Sequence, residues 1–320
     1  MNMTPPTLND VYAARQRLAP HLQPTPLLKH PLLDEATGLS IWVKHENHNP
    51  TGAFKVRGGL NLVGSLTKDE QARGLVTAST GNHGQSIGLA SRIHGVACTV
   101  FVPDANNPEK NAAMRAYGAT VEEGGQDFDE AREHCEQRAA DTGARYVHSA
   151  NEPLLLAGVG TYGLEVFEHL PTVDVVLVAI GGGSGACGLI TVRNALGAKT
   201  RIIGVGAVNA PAVERSWRGT ERVVGESANT FAEGIATRVT FDLTFGILKQ
   251  YLDDFVSLSE DELAEGVRLA LRTTHNLAEG AGSASLAAAM KLKDQLQGQR
   301  VVCIMSGGNL DQAKLKWILG

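Results

Sequence analysis

The chain has 320 residues, 43% of them apolar, and a net charge of −5; that length suits about two domains, each with a sizeable core. Charged residues make up 20% and form no long run, which argues against nucleic acid or an anionic membrane as the main partner. No apolar run reaches the length of about 20 residues that a bilayer span needs, and the start, MNMTPPTLNDVYAARQRLAP, lacks the basic-then-apolar order of a secretory signal. The expected location is the cytoplasm. The four cysteines, Cys98, Cys135, Cys187 and Cys303, show neither C-x-x-C spacing nor a disulfide framework, and are expected as buried thiols or surface bystanders.

In chain order, short runs rich in β-branched residues alternate with helix-spaced segments. SIWVKHE (40–46) comes first, followed by a turn and NPTGAFKVRGGLN (49–61). Next come GLVTAS (74–79), the helical HGQSIGLASRIHG (83–95), ACTVFVP (97–103) and the helical DFDEAREHCEQRAADTG (127–143), which ends on a glycine stop. The later runs are DVVLVAIG (174–181), TRIIGVG (200–206) and RVVCIMS (300–306). Apolar runs of this kind suit strands buried on both faces. The prediction is an α/β fold with two open, mostly parallel sheets. A small mobile domain is expected over 67–150, and a larger domain over 1–66 and 151–320.

Parallel α/β sheets bind ligands beyond the carboxyl ends of their strands. The loops at those places are STGNHG (79–84), GGGSGACG (181–188) and SGGN (306–309). GGGSG can be a tight connection, or a backbone cradle for an anion at a helix start. It matches neither the P-loop pattern nor a dinucleotide fingerprint with its acidic partner. In STGNHG, Ser79, Thr80, Asn82 and His83 bring hydroxyl, amide and imidazole groups to a helix start that could hold a carboxylate; a capping motif with an incidental histidine is the plainer alternative. Ser306 places one hydroxyl where the last strand stops. Lys55 follows a Pro-Thr-Gly turn and Phe54. It could merely solvate a helix face, or its amine could form a Schiff base with a phosphate-bearing aldehyde and later act as a base. The second role needs the neutral amine, against an ordinary pKa of about 10.4.

Taken together, N-P-T-G-A-F-K-x-R-G, S-T-G-N-H-G, G-G-G-S-G and S-G-G-N resemble the fold type II pyridoxal-phosphate enzymes, whose fold is that of the tryptophan synthase β chain. The closest likeness is to the threonine/serine dehydratase and serine racemase branch, from about residue 20 to 310. The resemblance implies pyridoxal 5'-phosphate as cofactor, a small amino acid as substrate and a homodimer. Lys55 would bond the cofactor and act catalytically, with Phe54 beside the ring. Gly181, Gly182, Gly183, Ser184 and Gly185 would cradle the phosphate. Asn82 would meet the ring hydroxyl and Ser306 the pyridine nitrogen. Ser79, Thr80, Asn82 and His83 would bind the substrate carboxylate. The implied reaction is loss of water from a β-hydroxy amino acid, giving a 2-keto acid and ammonia. FAEGIA (231–236) resembles the loop beside the cofactor ring; Glu279, in LAEGAGSAS (277–285), is either near the pyridine or simply an acidic helix start.

The chain departs from that branch in several places. Racemases carry a second serine, acting as a base, where this chain has Thr80; its methyl restricts approach, so dehydration should dominate over racemisation. The cation-binding carboxylates of racemase-like members fall near Gly206 and Ala212, which offer none, so no metal is expected there, although Glu214 is close. Val159 replaces a glutamine in AGVGT (157–161), and Ser184 a glycine. The chain ends at Gly320 without a regulatory domain, which points to a catabolic or specialised enzyme. A cysteine-synthase-like β-replacement enzyme, disfavoured by Val56 and His83, and an amino-acid racemase are the alternatives within the fold. A non-catalytic binding protein and an NAD-dependent oxidoreductase are further alternatives.

Overall fold

All six apolar runs form strands in the computed structural model, which describes residues 3–320. The strands are β1 (Leu27–Lys29), β2 (Ser40–His45), β3 (Leu75–Ala78), β4 (Cys98–Val102), β5 (Thr120–Glu123), β6 (Arg145–Tyr146), β7 (Val175–Ala179), β8 (Arg201–Ala207), β9 (Asp254–Leu258) and β10 (Arg300–Met305). One sheet has six strands in the order β1-β2-β10-β7-β8-β9, the other four in the order β5-β4-β3-β6. Every pairing is parallel except β1 with β2. The expected α/β class with two mostly parallel sheets is therefore the observed one.

The central strands are apolar throughout because helices cover both faces. Val175, Val176 and Leu177 of β7 and Val301, Val302 and Cys303 of β10 are fully buried. The helix Phe128–Thr142 begins where the Asp127 carboxylate accepts from Glu130 N and stops at Gly143, with φ +70. No helix among the described residues is long and apolar enough to cross a membrane. All four cysteines are buried free thiols.

Packing divides the chain into two units. Gln23–Phe54 with Val159–Gly320 holds the six-stranded sheet, and Lys55–Gly158 with the residues up to Leu22 holds the four-stranded sheet. These limits differ from the expected division at 1–66, 67–150 and 151–320. The helix Lys55–Val63 goes with the smaller sheet because Val56, Leu60, Leu62 and Val63 share a core with Ile87, Leu89 and Val100; Leu18 brings the helix Leu8–Leu18 into the same core.

Within the six-stranded sheet, register decides what the loops can do. Met305 of β10 pairs with His45 of β2, and Val301 of β10 with Val175 of β7. These three strands are neighbours and run the same way. The segments that follow them, Glu46–Phe54, Ser306–Asn309 and Ile180–Gly183, therefore leave one edge side by side.

Further along this sheet, Asp253 accepts from Ile202 N at 2.7 Å and from the buried Arg193 guanidinium at 2.7 Å, and so ties β9 to β8. Removing the carboxylate takes an acceptor from both donors. Asp253→Ala is expected to lower the unfolding free energy by about 2 kcal/mol, with cofactor binding unchanged. Denaturant titration beside a cofactor titration checks this.

Candidate active site

β7 runs into Gly181–Gly183 and then the helix Ser184–Ala195. Two of these glycines are required. Gly183 has φ +90 and caps the helix, and a Cβ on Gly181 would stand 2.3 Å from Gly234 O. Gly234 lies in FAEGIA, so that segment packs directly on the glycine loop. The first amides of the helix have no carbonyl one turn back to bond, and the helix dipole adds positive potential there. The first turn carries no acidic side chain. This is an arrangement of backbone that can hold an anion. It is buttressed by Tyr162, fully buried, whose hydroxyl donates to Gly185 O at 2.7 Å. The Phe54 ring meets Tyr162 edge-on, with centroids 6.2 Å apart. Sequence reading missed Tyr162, which sits in an apolar helix 23 residues from its partner.

The Ser306–Asn309 loop holds the segment that leads to Lys55. Phe54 N donates to Ser306 O at 3.0 Å, and Gly308 N to Gly52 O at 2.8 Å. Ser306 is buried, and its Oγ donates weakly to Ala281 O at 3.4 Å. The helix Gly280–Lys291 approaches so closely that a Cβ on Gly282 would fall 2.0 Å from Gly307 O. Glu279 caps that helix, is buried, and donates its own N–H to Gly307 O at 3.1 Å. Its carboxylate lies 2.4 Å from where a Gly307 Cβ would be, so Glu279 borders the Ser306 loop rather than open water.

In the other unit, Lys55 opens the helix Lys55–Val63. The residue keeps some exposed surface, but its amine is deep enough among protein atoms that burial lowers its pKa to about 8. Nζ donates to Ser149 O at 3.2 Å. The Lys55 carbonyl accepts from Ser86 Oγ at 2.6 Å, which fixes this helix on the helix Asn82–His94.

The STGNHG loop is more internally committed than its sequence suggests. Ser79 Oγ accepts from Gly81 N at 3.2 Å and Gly84 N at 2.9 Å, capping the helix that starts at Asn82. His83 is buried, with Nε2 3.0 Å from Thr77 Oγ1 and 3.4 Å from Val147 O. The Thr77 hydroxyl donates to Val147 O at 2.7 Å, so it accepts from a protonated Nε2, and His83 is the neutral Nε2–H tautomer. Burial, aided by the Lys55 charge, pushes the His83 pKa down to about 3. Thr80 is partly exposed, as is Asn82 at the helix start. Sequence reading missed His148. Its Nδ1 accepts from Ala150 N and Asn151 N, both at 3.0 Å, and burial together with the Lys55 charge lowers its pKa to about 4. It follows β6, a two-residue strand too polar to recognise.

In the unit with the six-stranded sheet, the glycine-rich helix start, the Phe54 ring and the neutral Ser306 hydroxyl suit the phosphate, ring and pyridine nitrogen of pyridoxal phosphate; in the other unit, the Lys55 amine, biased toward its neutral form, suits its aldehyde. Residues 18–307 match the family described as pyridoxal-phosphate dependent enzyme. The chain belongs to that family. It is 38% identical to the L-threonine ammonia-lyase of Thermotoga maritima, over 95% of this chain and 76% of that one. Its fold is similar to the T.th. threonine deaminase, with a TM-score of 0.90, 34% identity and 96% and 99% of the two chains covered. The maize serine racemase is likewise similar, with a TM-score of 0.93, 25% identity and 99% and 97% covered. The fold is thus the fold type II arrangement that the motifs resemble.

Gly206 and Ala212 carry no donor, and Glu214 is bonded to Arg218 Nε at 2.8 Å and to the Ser257 hydroxyl. Among the described residues, no group of three or more His, Cys, Asp or Glu side chains could hold a metal.

The shifted groups set a pH dependence. With the cofactor removed, Lys55 is expected to be methylated by formaldehyde and borohydride with a midpoint near its pKa of about 8. Peptide mapping across pH checks this; a midpoint in the ordinary lysine range, about 10.4, overturns it. His83 and His148, at about 3 and about 4, refuse protons that the unfolded chain binds below its ordinary value of about 6.5. Their contribution to stability is present above that pH and is lost as pH falls through the window toward 4, so the denaturation midpoint should drop across that range.

Proposed function

We propose that this enzyme removes water from a β-hydroxy amino acid, threonine or serine or a close analogue, to give a 2-keto acid and ammonia. The observation that carries the reading is the Lys55 amine, lowered to about 8 by burial and bonded through the chain to Phe54, which is itself held to Ser306. The relatives named threonine ammonia-lyase and threonine deaminase support the reaction class.

When bound, pyridoxal phosphate supplies an electron-accepting ring that eases departure of the substrate's α-proton. Lys55 would hold the cofactor at its aldehyde, and its Nζ would accept the α-proton. Gly181, Gly182, Gly183, Ser184 and Gly185 would hold the phosphate through backbone amides. Phe54 would pack beside the ring, and Asn82 would bond its hydroxyl. Ser306 would meet the pyridine nitrogen with a neutral hydroxyl, which cannot keep that nitrogen protonated as a carboxylate would; the ring would then be a weaker electron sink, which suits expulsion of a β-hydroxyl. Ser79, Thr80, Asn82 and His83 form the carboxylate-binding segment. Ser79 and His83 act there by fixing its shape, since Ser79 already binds Gly81 and Gly84 and His83 already binds Thr77. Thr80 presents a hydroxyl hindered by its methyl, which favours dehydration over racemisation. The active form on this reading is a cytoplasmic homodimer.

The test is keto-acid release over a panel of threonine, serine, 3-hydroxyaspartate and phenylserine, with and without chelator. Threonine or serine should turn over, chelator should change nothing, and Lys55→Ala should lower kcat by a factor on the order of 10³ or more. D-serine formed as fast as keto acid would overturn the role given to Thr80. Cysteine formed from O-acetylserine and sulfide in preference to elimination would move the enzyme to the β-replacement class.

A further inference from the structure

Beneath the turn that delivers Phe54 and Lys55 lies a set of buried polar contacts that the reaction itself does not use. Glu46 follows β2 and is fully buried. Its Oε1 accepts from the Thr25 hydroxyl at 2.5 Å and lies 3.9 Å from the Lys44 ammonium. Its Oε2 accepts from Asn49 Nδ2 at 2.9 Å, and the same amide nitrogen donates to Glu46 O at 2.9 Å. Lys44 is equally buried; it donates to Thr25 O at 2.7 Å and pairs with Glu165. Asn49, gripped at both its amide hydrogens by one residue, accepts from Gly52 N at 2.7 Å through its carbonyl.

The other side of the turn is held from the last loop. Asn309 Nδ2 donates to Thr51 O at 2.8 Å, and Gly308 N to Gly52 O at 2.8 Å. Gly52 has φ +66, and a Cβ there would stand 2.6 Å from Asn309 Oδ1. The turn is therefore clamped twice, by Glu46 through Asn49 and by Asn309 through Thr51. Burying Lys44 and Glu46 is an inefficient route to stability, because apolar side chains of the same volume would serve as well or better. What the polar version supplies is direction: each carboxylate oxygen and each amide hydrogen accepts one geometry.

We infer that Glu46 and Asn309 are positioning residues that set the backbone of the Asn49–Ala53 turn, and through it the place from which Lys55 reaches the cofactor. The inference rests on the reading of Lys55 given above. Loosening either clamp lets the turn rock, and Lys55 then spends less time where its amine can bond the aldehyde. A displacement of about 1 Å in a reacting group is enough to cost up to about a hundredfold.

The test uses holoenzymes of Glu46→Ala, Glu46→Gln and Asn309→Ala, with Asp253→Ala as a control for lost stability elsewhere in the same unit. Four quantities are measured: the cofactor dissociation constant from visible absorbance, the fraction of Lys55 trapped by borohydride, kcat with KM, and the melting temperature. Glu46→Ala and Asn309→Ala should weaken cofactor retention by about tenfold or more, lower the trapped fraction, and reduce kcat more than they raise KM. Glu46→Gln keeps an acceptor for Asn49 and should recover part of each loss. Asp253→Ala should melt lower with retention and trapping unchanged. The inference is overturned if the Glu46 and Asn309 variants behave as Asp253→Ala does, or if Glu46→Gln is as impaired in retention as Glu46→Ala. An adduct on a lysine other than Lys55 in the unsubstituted protein overturns the Lys55 reading and this inference together. An adduct on Lys55 with unchanged retention in both alanine variants overturns the inference alone.

Discussion

The strongest electrostatic constraint on this protein's candidate site is the burial of one amine. An ammonium loses its solvation when buried, so the neutral form gains, and the pKa of Lys55 falls to about 8. No charged neighbour is needed for this: burial is the whole cause. The same burial acts on the surroundings. His83 and His148 are held neutral by their own desolvation first and by the Lys55 charge second. A cation and two imidazoles share one poorly solvated region, and the imidazoles yield. Neutral histidines there leave the lysine as the one group of the three that changes charge near neutral pH.

The other constraint is the close approach of backbones around the glycine-rich loops. Gly181 against Gly234 and Gly282 against Gly307 leave no room for a Cβ without something giving way. These contacts join the ends of β7 and β10 to the segments 231–236 and 280–291. The loops can then present amides and one hydroxyl in fixed directions while carrying almost no side chains of their own. That suits a flat cofactor, whose phosphate needs donors at one end and whose ring needs space at the other.

Much of this was legible in the sequence, for reasons that can be named. The runs at 74–79, 174–181 and 300–306 were readable as strands because Val and Ile fill both faces of a covered parallel sheet. β1, β5, β6 and β9 were not, since Leu-Leu-Lys, Thr-Val-Glu-Glu and Arg-Tyr are short or polar edge and outer strands, and Asp-Phe-Val-Ser-Leu mixes faces. The three loops stood out because each is glycine-rich and polar and follows a strand, and Lys55 because a Pro-Thr-Gly turn and an aromatic ring precede it. Tyr162, His148 and Asn309 were hidden because what matters about each is a partner that only the fold supplies; Asn309 and Thr51 are 258 residues apart. Ser79 and His83 looked like ligand groups, yet the structure commits Ser79 to Gly81 and Gly84 and His83 to Thr77. A polar side chain at a helix start can serve either a ligand or the helix itself, and spacing alone does not choose between them.

One of the three places where the chain passes from one unit to the other is the peptide bond between Phe54 and Lys55. Phe54 closes a segment of the unit with the six-stranded sheet, and Lys55 opens a segment of the other. The backbone of Phe54 is fastened to Ser306, while the side chain of Lys55 is fastened to Ser149 and its carbonyl to Ser86. One residue answers to the Ser306 loop, and the next answers to the helix that carries the STGNHG loop. The buried charges of Lys44 and Glu46 fix the turn ahead of this pair, at Asn49–Ala53, from which, on the reading proposed above, Lys55 is presented to the cofactor.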